Sequence, residues 1–441
     1  MWHRTAILIL VTALLPLPAC TKTRPAPEKK VEPVTRVILI SIDTLRADYL
    51  GCYNPEKKTS PNVDRFAKDS LLCTDVFTQA PSTAISHKSI LYSLYPFVHK
   101  TSIVSVPSEK MKSPIEALRE NGFHTAAFVA GGQLKPVFGF ARGFDVYTET
   151  PFPKLFKTFS EWLARNQSRN FFLFLHTYVV HCPYVPPAPY RKKFAAWYKG
   201  DIDPVKKCGP YYDNRKMTAD DVQFVRDLYS AEVYWMDNFF GRFLAELRKA
   251  GIYDKTMIVF VSDHGESLGE RKVFGHNEFV MEQLKIPLIL KIPGVQSGKV
   301  DAPLEAIDIM PTIFDALGVR QPYPFQGKSI LAHVRTLKTI DTSRIRMAEQ
   351  YSHVSIRNGN YISVIPQYQK PPELYDLVAD PMQFKNIAPA NPQIVAEHQR
   401  YYDLIKAKYV NLSAQFEVTE SSRPILDPEA KEQLKALGYI Q

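Results

Sequence analysis

Glycine is scarce in this chain, with 19 against 34 prolines in 441 residues, the reverse of the usual balance. That excludes a collagen-like repeat and long Gly-rich linkers, and it implies many turns fixed by proline. Cysteine is scarce as well, five in all, and the absence of any Cys-x-x-Cys pair removes the common zinc sites. The chain lacks a Gly-x-Ser-x-Gly elbow, which sets aside an ordinary serine hydrolase. It also lacks a zinc-finger, RNA-recognition or basic-helix pattern, and its Lys and Arg are scattered. The formal net charge of +10 therefore favours acidic substrates or anionic surfaces over nucleic acid. No repeat or low-complexity tract is present, and 45% hydrophobic with 23% charged residues is an ordinary globular composition for two to three domains.

The amino terminus reads as an address. Residues 1–19 run from Arg4 through an apolar stretch, Ala6 to Leu17, that is shorter than the roughly 20 residues a membrane span requires. Cys20 directly after Leu17-Pro18-Ala19 is similar to the lipobox of bacterial lipoproteins. The resemblance implies a lipid on Cys20, residues 20–34 as a Lys-, Glu- and Pro-rich tether, and anchorage to a membrane of the bacterial cell envelope. An unlipidated secreted protein is the plainer alternative. Export permits disulfides, and sequence proximity suggests Cys52 with Cys73 and Cys182 with Cys208; four free thiols are the competing expectation.

Past the tether, short apolar runs alternate with helical patterns. Residues 37–42, 125–130, 171–175, 257–261 and 286–290 read as strands, which predicts an α/β sheet with helices on both faces. A long helix should start at Thr218, where Asp220 and Asp221 suit the helix dipole, and stop near Gly251. Its aromatic stripe, from Phe224 to Phe243, belongs to a core. Beyond residue 335 the rhythm changes to a hairpin around Asn358-Gly359 followed by helices. This predicts a catalytic domain over 35–335 and a small α+β subdomain over 336–441.

Two acidic clusters follow predicted strands: Asp43 in Ser41-Ile-Asp-Thr-Leu-Arg-Ala-Asp48, and Asp263-His264 in Ser262-Asp-His-Gly-Glu266. Ligands of open α/β sheets sit beyond strand carboxyl ends, so both clusters can converge on one crevice. Two carboxylates and an imidazole suit one divalent cation: Ca, Mn or Mg, with Zn also compatible. A third element, Ala80-Pro-Ser-Thr-Ala-Ile-Ser-His87, sets hydroxyls at a helix start. There a hydroxyl is by default an N-cap, but helix starts also receive phosphate or sulfate. His87 lies four residues after Thr83, on the same helix face.

These stretches resemble the sulfatase branch of the alkaline phosphatase superfamily, over about 35–330 with fragments beyond. The resemblance also rests on Ser60-Pro-Asn-Val-Asp64, Gly143-Phe-Asp145, His181-Cys-Pro-Tyr184, Gly275-His276, Asp308-Ile-Met-Pro-Thr312, Glu373-Leu-Tyr-Asp-Leu377 and Leu437-Gly-Tyr439. It implies that sheet fold and an anionic ester as substrate. Thr83 falls on the nucleophile position, usually Cys or Ser, with Ile85 on the motif's Pro and His87 on its Arg. By the same resemblance Asp43, Asp263, His264 and the Thr83 oxygen hold one metal, while His181 and His276 contact the anionic group. Thr177 stands where two-metal relatives carry an Asp. Sulfatases convert their Cys or Ser to formylglycine, a route closed to threonine, so a hydrolase or phosphotransferase acting on phosphate esters is favoured over sulfate. A catalytically silent binding lipoprotein of the same fold is the alternative, because the motif lacks its Pro and Arg. His176 is a weaker candidate, with a satisfied strand-end histidine as its competing interpretation.

The address is testable apart from the chemistry: Cys20→Ser is expected to leave the protein unprocessed or to move it out of the detergent phase on phase partitioning. Unchanged partitioning would reject lipidation.

Overall fold

The computed structural model describes residues 34–436 apart from 207–215, 332–342 and 417–425, stretches in which only Cys208, Tyr212, Val334 and Pro424 are described. The expected signal, Cys20 and all but the last residue of the tether lie outside the described residues, as does Leu437-Gly-Tyr439. Residues from Pro33 onward form one compact unit. No helix among the described residues is long and apolar enough to cross a membrane.

The large sheet is built from β1 (Arg36–Ile42), β2 (Leu71–Phe77), β3 (His124–Val129), β4 (Val146–Glu149), β5 (Phe171–Thr177), β6 (Met257–Val261), β9 (Lys285–Lys291) and β10 (Gly298–Glu305). A two-stranded ribbon, β7 (Ser267–Leu268) with β8 (Phe274–Gly275), lies between β6 and β9 in sequence. The order across the large sheet is β10-β2-β9-β6-β1-β5-β3-β4, and β9 alone runs against its neighbours. All five predicted strands are present. The sequence reading missed β2, whose apolar run is broken by Thr74-Asp75 at a register shift, and β4 and β10, which are partly exposed at the two sheet edges.

Alternation along the strands explains the two cores. Val37, Leu39, Phe172, Phe174, Val259 and Leu288 face one layer of helices, while Ile38, Ile40, Leu173, Leu175, Ile258 and Ile289 face the other. The second layer contains the predicted long helix, Ala219–Lys249. Thr218 and Asp221 cap its start reciprocally. At its end Gly251, at φ +71°, lets Ile252 N donate to Leu247 O and its own N donate to Arg248 O, the two bonds of a Schellman motif. Phe224, Tyr229, Phe239 and Phe243 of the aromatic stripe are buried in this core.

The cysteine expectation is half corrected. Cys182 and Cys208 form a disulfide, but Cys52 and Cys73 are free thiols. The physical reason is the sheet itself: Cys73 points from β2 into the first core, whereas Cys52 packs against the second.

The predicted carboxy-terminal α+β element is a four-stranded antiparallel sheet, β11 (Arg346–Gln350), β12 (His353–Asn358), β13 (Tyr361–Pro366) and β14 (Glu373–Asp376), packed against the helix Pro392–Lys408. The β12–β13 turn is Gly359-Asn360, with Gly359 at φ +55°. Buried charge binds this sheet to the large one: Arg346 and Arg357 reach Asp75 of β2, and Arg344 reaches Glu305 at 2.7 Å and Asp308 at 2.5 Å. Both of those carboxylates are fully buried. Arg344→Ala strands them without their cation and is expected to cost about 3–5 kcal/mol, read as a lowered midpoint in urea. A loss below about 1 kcal/mol, the level of an exposed pair, would contradict this role.

Candidate active site

The site forms where three adjacent parallel strands end. β1 lies between β6 and β5, with Ser41 level with Val261 on one side and His176 on the other. Asp43 therefore leaves β1 beside Asp263-His264 leaving β6, as the two sequence clusters implied. One ligand atom from each of Asp43, Asp263 and His264 lies within 4.8 Å of the others.

Both carboxylates are fully buried. Burial, then the charge of Asp263, pushes the Asp43 carboxyl well above the usual carboxylate range. At Asp263 burial is outweighed by His264 and His87, and its carboxyl ends below that range. Asp43 Oδ1 and Asp263 Oδ2 have no hydrogen-bond partner. Two buried acids with orphaned oxygens beside a histidine fit a divalent cation, which would take both oxygens and reverse the repulsion.

The surrounding bonds fix Asp263 and His264. Asp263 Oδ1 accepts from Thr44 N at 3.3 Å and His264 N at 2.9 Å, while its carbonyl accepts from Thr78 and Ser86 hydroxyls at 2.5 and 2.8 Å. His264 Nδ1 donates to Gly265 O at 2.9 Å, leaving Nε2 free to face inward. Thr83 Oγ1 lies 3.4 Å from that Nε2 and also hydrogen-bonds Asp43.

Thr83 opens the helix Thr83–Tyr92, all ten residues of which are buried. Ser82 occupies the N-cap position, but its side chain makes no cap bond and its Oγ has no partner. Instead Gln133 Oε1 accepts from Ala84 N at 2.7 Å. The default cap reading of the hydroxyls thus fails here, and a glutamine fifty residues away does that work. His87 is buried with both nitrogens engaged: Nδ1 donates to Thr83 O at 2.8 Å and lies 3.4 Å from Asp263 Oδ2, and Nε2 accepts from Ser41 Oγ at 2.9 Å. Burial, opposed by Asp263, holds its pKa below the ordinary value, so the ring is neutral.

His181 and His276 also converge. Each directs Nδ1 at a carbonyl, Cys182 O at 2.5 Å and Pro81 O at 3.2 Å, and their Nε2 atoms stand 3.3 Å apart. The His276 ring packs 4.5 Å from that of His264. His176 belongs to the same cluster, its Nε2 3.3 Å from Asp43 Oδ2. The strand-end position of His176 on β5 was the available signal. Glu266 is buried beneath, holding the Tyr184 hydroxyl at 2.5 Å, and burial pushes its carboxyl up to about 8. Ser41, Gln133 and Glu266 were not foreseen. Glu266 sits within the Ser262–Glu266 block, whereas nothing local marks Gln133.

Comparison with known proteins agrees with this geometry. A family model described as Sulfatase matches residues 35–319, and one described as N-sulphoglucosamine sulphohydrolase, C-terminal, matches 269–406. The chain belongs to the sulfatase family. The multifunctional alkaline phosphatase superfamily protein PehA of Trinickia caryophylli is 24% identical over 82% of this chain and 93% of its own length. Choline-sulfatase of Rhizobium meliloti is 30% identical over 41% of this chain and 36% of its own. Among solved structures, the phosphonate monoester hydrolase of Agrobacterium radiobacter superposes with a TM-score of 0.70 at 19% identity, covering 90% of this chain and all of that one. The protein is accordingly a sulfatase-family hydrolase of sulfuric or phosphoric esters, with the expected α/β sheet and carboxy-terminal antiparallel subdomain.

The metal site yields a direct test. Asp263→Asn combined with His264→Ala is expected to abolish stoichiometric Mn or Ca after dialysis. Metal at about 100 times its Kd should raise the stability of the native protein by about 2.7 kcal/mol and leave that of the variant unchanged. Metal retained at one equivalent would mean that the cation sits elsewhere.

Proposed function

We propose that this chain is a metal-dependent hydrolase or phosphotransferase that prefers phosphate esters and uses Thr83 as its nucleophile. The observation that supports it best is the 3.4 Å approach of Thr83 Oγ1 to His264 Nε2 at the start of a fully buried helix, among carboxylates suited to a cation. Asp43, Asp263, His264 and Thr83 would hold one divalent ion, Ca, Mn or Mg, with Zn also compatible. When bound, that ion supplies positive charge that favours an ionised hydroxyl and neutralises ester oxygens.

The chain's own groups would then act as follows. Thr83 Oγ1 attacks phosphorus in line, forming the Thr83 O–P bond as the bond to the leaving alcohol breaks and the alcohol takes up a proton. His181 and His276 line the non-bridging oxygens and stabilise the charge that grows there. His87, locked between Ser41, Thr83 O and Asp263, orients Thr83 and Asp263 and does not titrate. Water attacking phosphorus frees Thr83; a second alcohol in its stead makes the reaction a transfer.

Preference for phosphorus follows from the side chain. Threonine carries one oxygen on Cβ, so its ester has no geminal hydroxyl through which to expel sulfate and must open by attack at the central atom. The acidic substrate also agrees with the net charge of +10. From the Leu17-Pro18-Ala19-Cys20 segment we further propose lipid anchorage in the bacterial cell envelope.

Intact-mass analysis with matched aryl phosphate, phosphodiester and aryl sulfate decides the reading. Thr83→Ala should abolish turnover and any adduct of about 80 Da, the mass of one phosphoryl group, while Ser82→Ala and Ser86→Ala retain substantial activity. Aryl-sulfate turnover by unmodified protein, with none on phosphoesters, would overturn it.

A further inference from the structure

A cleft of about 490 Å³ begins one residue past His276, between the 271–283 segment and the second sheet. Its volume is that of a small-molecule site, about 300–1,000 Å³. Among the described residues eight non-glycine residues have positive φ, and four of them, Arg271, Asn277, Tyr351 and Gln383, line this cleft. Backbone held in that region costs energy at each position and concentrates where geometry is used. The strain is braced from both sides. Gln350 Nε2 of β11 donates to Asn277 Oδ1 at 2.9 Å, and Gln383 Oε1 accepts from Met281 N at 2.8 Å.

Two polar atoms in this lining are left over. Gln350 is 2% exposed, yet its Oε1 accepts nothing. The guanidinium of Arg271 donates through its terminal nitrogens to Met382 O and Glu282, yet its buried Nε donates to nothing. The cleft thus carries one unmatched acceptor and one unmatched donor. An aryl or alkyl group answers neither, and an ammonium group answers only the acceptor, but an alcohol with additional hydroxyls answers both.

We propose that this cleft receives the leaving alcohol of the ester and selects a polyhydroxylated one, with Gln350 Oε1 and Arg271 Nε as its specificity-determining contacts. The proposal rests on the hydrolytic reading of the Thr83 site. A buried group that waits for a hydroxyl rejects an analogue lacking it far more strongly than an apolar pocket rejects a misfit.

The test uses two esters of one ring shape, myo-inositol 1-phosphate and cyclohexyl phosphate. Wild-type protein is expected to favour the first in kcat/KM by about 100-fold or more. Gln350→Leu should collapse that ratio, mainly through KM for the inositol ester. Gln350→Glu keeps an acceptor toward the cleft, and the Asn277 amide can turn to donate to it, so the ratio should persist. Equal loss on both esters, or a ratio lost as fully in Gln350→Glu, would show Gln350 only bracing Asn277 and would overturn the proposal. Calorimetry with Thr83→Ala separates the two readings. Discrimination in binding without wild-type turnover sinks the hydrolytic mechanism and keeps the cleft, whereas the absence of any discrimination in binding sinks the cleft.

Discussion

Two carboxylates buried side by side repel each other, and this repulsion is the constraint on which the rest of the molecule depends. Asp43 and Asp263 are carried to the ends of neighbouring parallel strands, where both are sealed from solvent. The protein answers with backbone amides, three imidazoles and the hydroxyls of Thr78 and Ser86 braced against the Asp263 carbonyl. It does not supply a basic side chain: the cations Arg46 and Lys88 are engaged elsewhere, Arg46 with Asp48 and Glu270, and Lys88 with the carbonyls of Ser102 and Ser105. A pair of acids left in this condition suits a metal rather than a salt bridge.

The helix that delivers Thr83 pays the cost of complete burial in polar residues, and each of these is accounted for locally. Ser86 reaches the Asp263 carbonyl, Ser89 meets His99, and His87 bonds Ser41. Because the helix is locked on all sides, its first residue is presented in a fixed pose, which is what in-line attack requires. The neutral, doubly bonded His87 is a different solution from the cation that the family motif carries there. It leaves charge at the ester to a metal and to the His181–His276 pair.

The second sheet is bound to the first by buried charge, and it also reaches the site. Glu349 N donates to Gln79 O at 2.8 Å, shortly before Ser82 and Thr83, while the next residue, Gln350, holds Asn277 beside His276. Two consecutive residues of β11 thus touch both walls of the reaction centre. Residues chosen for leaving-group fit can vary on this sheet without disturbing the strands that set the metal ligands.

Much was legible in one dimension. Apolar runs marked the strands that fill the middle of the sheet, Thr218 and Gly251 marked the long helix, and Asp43, Thr83, Asp263 and His264 were readable because strand ends and helix starts are where α/β folds put their chemistry. Short-range physics governs such features, so the sequence alone determined them. Tertiary structure decided the rest. It set Cys52 and Cys73 on opposite faces of one sheet, replaced a Ser82 cap by Gln133, made His87 a neutral brace, drew His176 to Asp43, and brought Gln350 to Asn277 from 73 positions away. Each of these depends on which strands become neighbours, and that order, β10-β2-β9-β6-β1-β5-β3-β4, is a property of the packed whole that no local window contains.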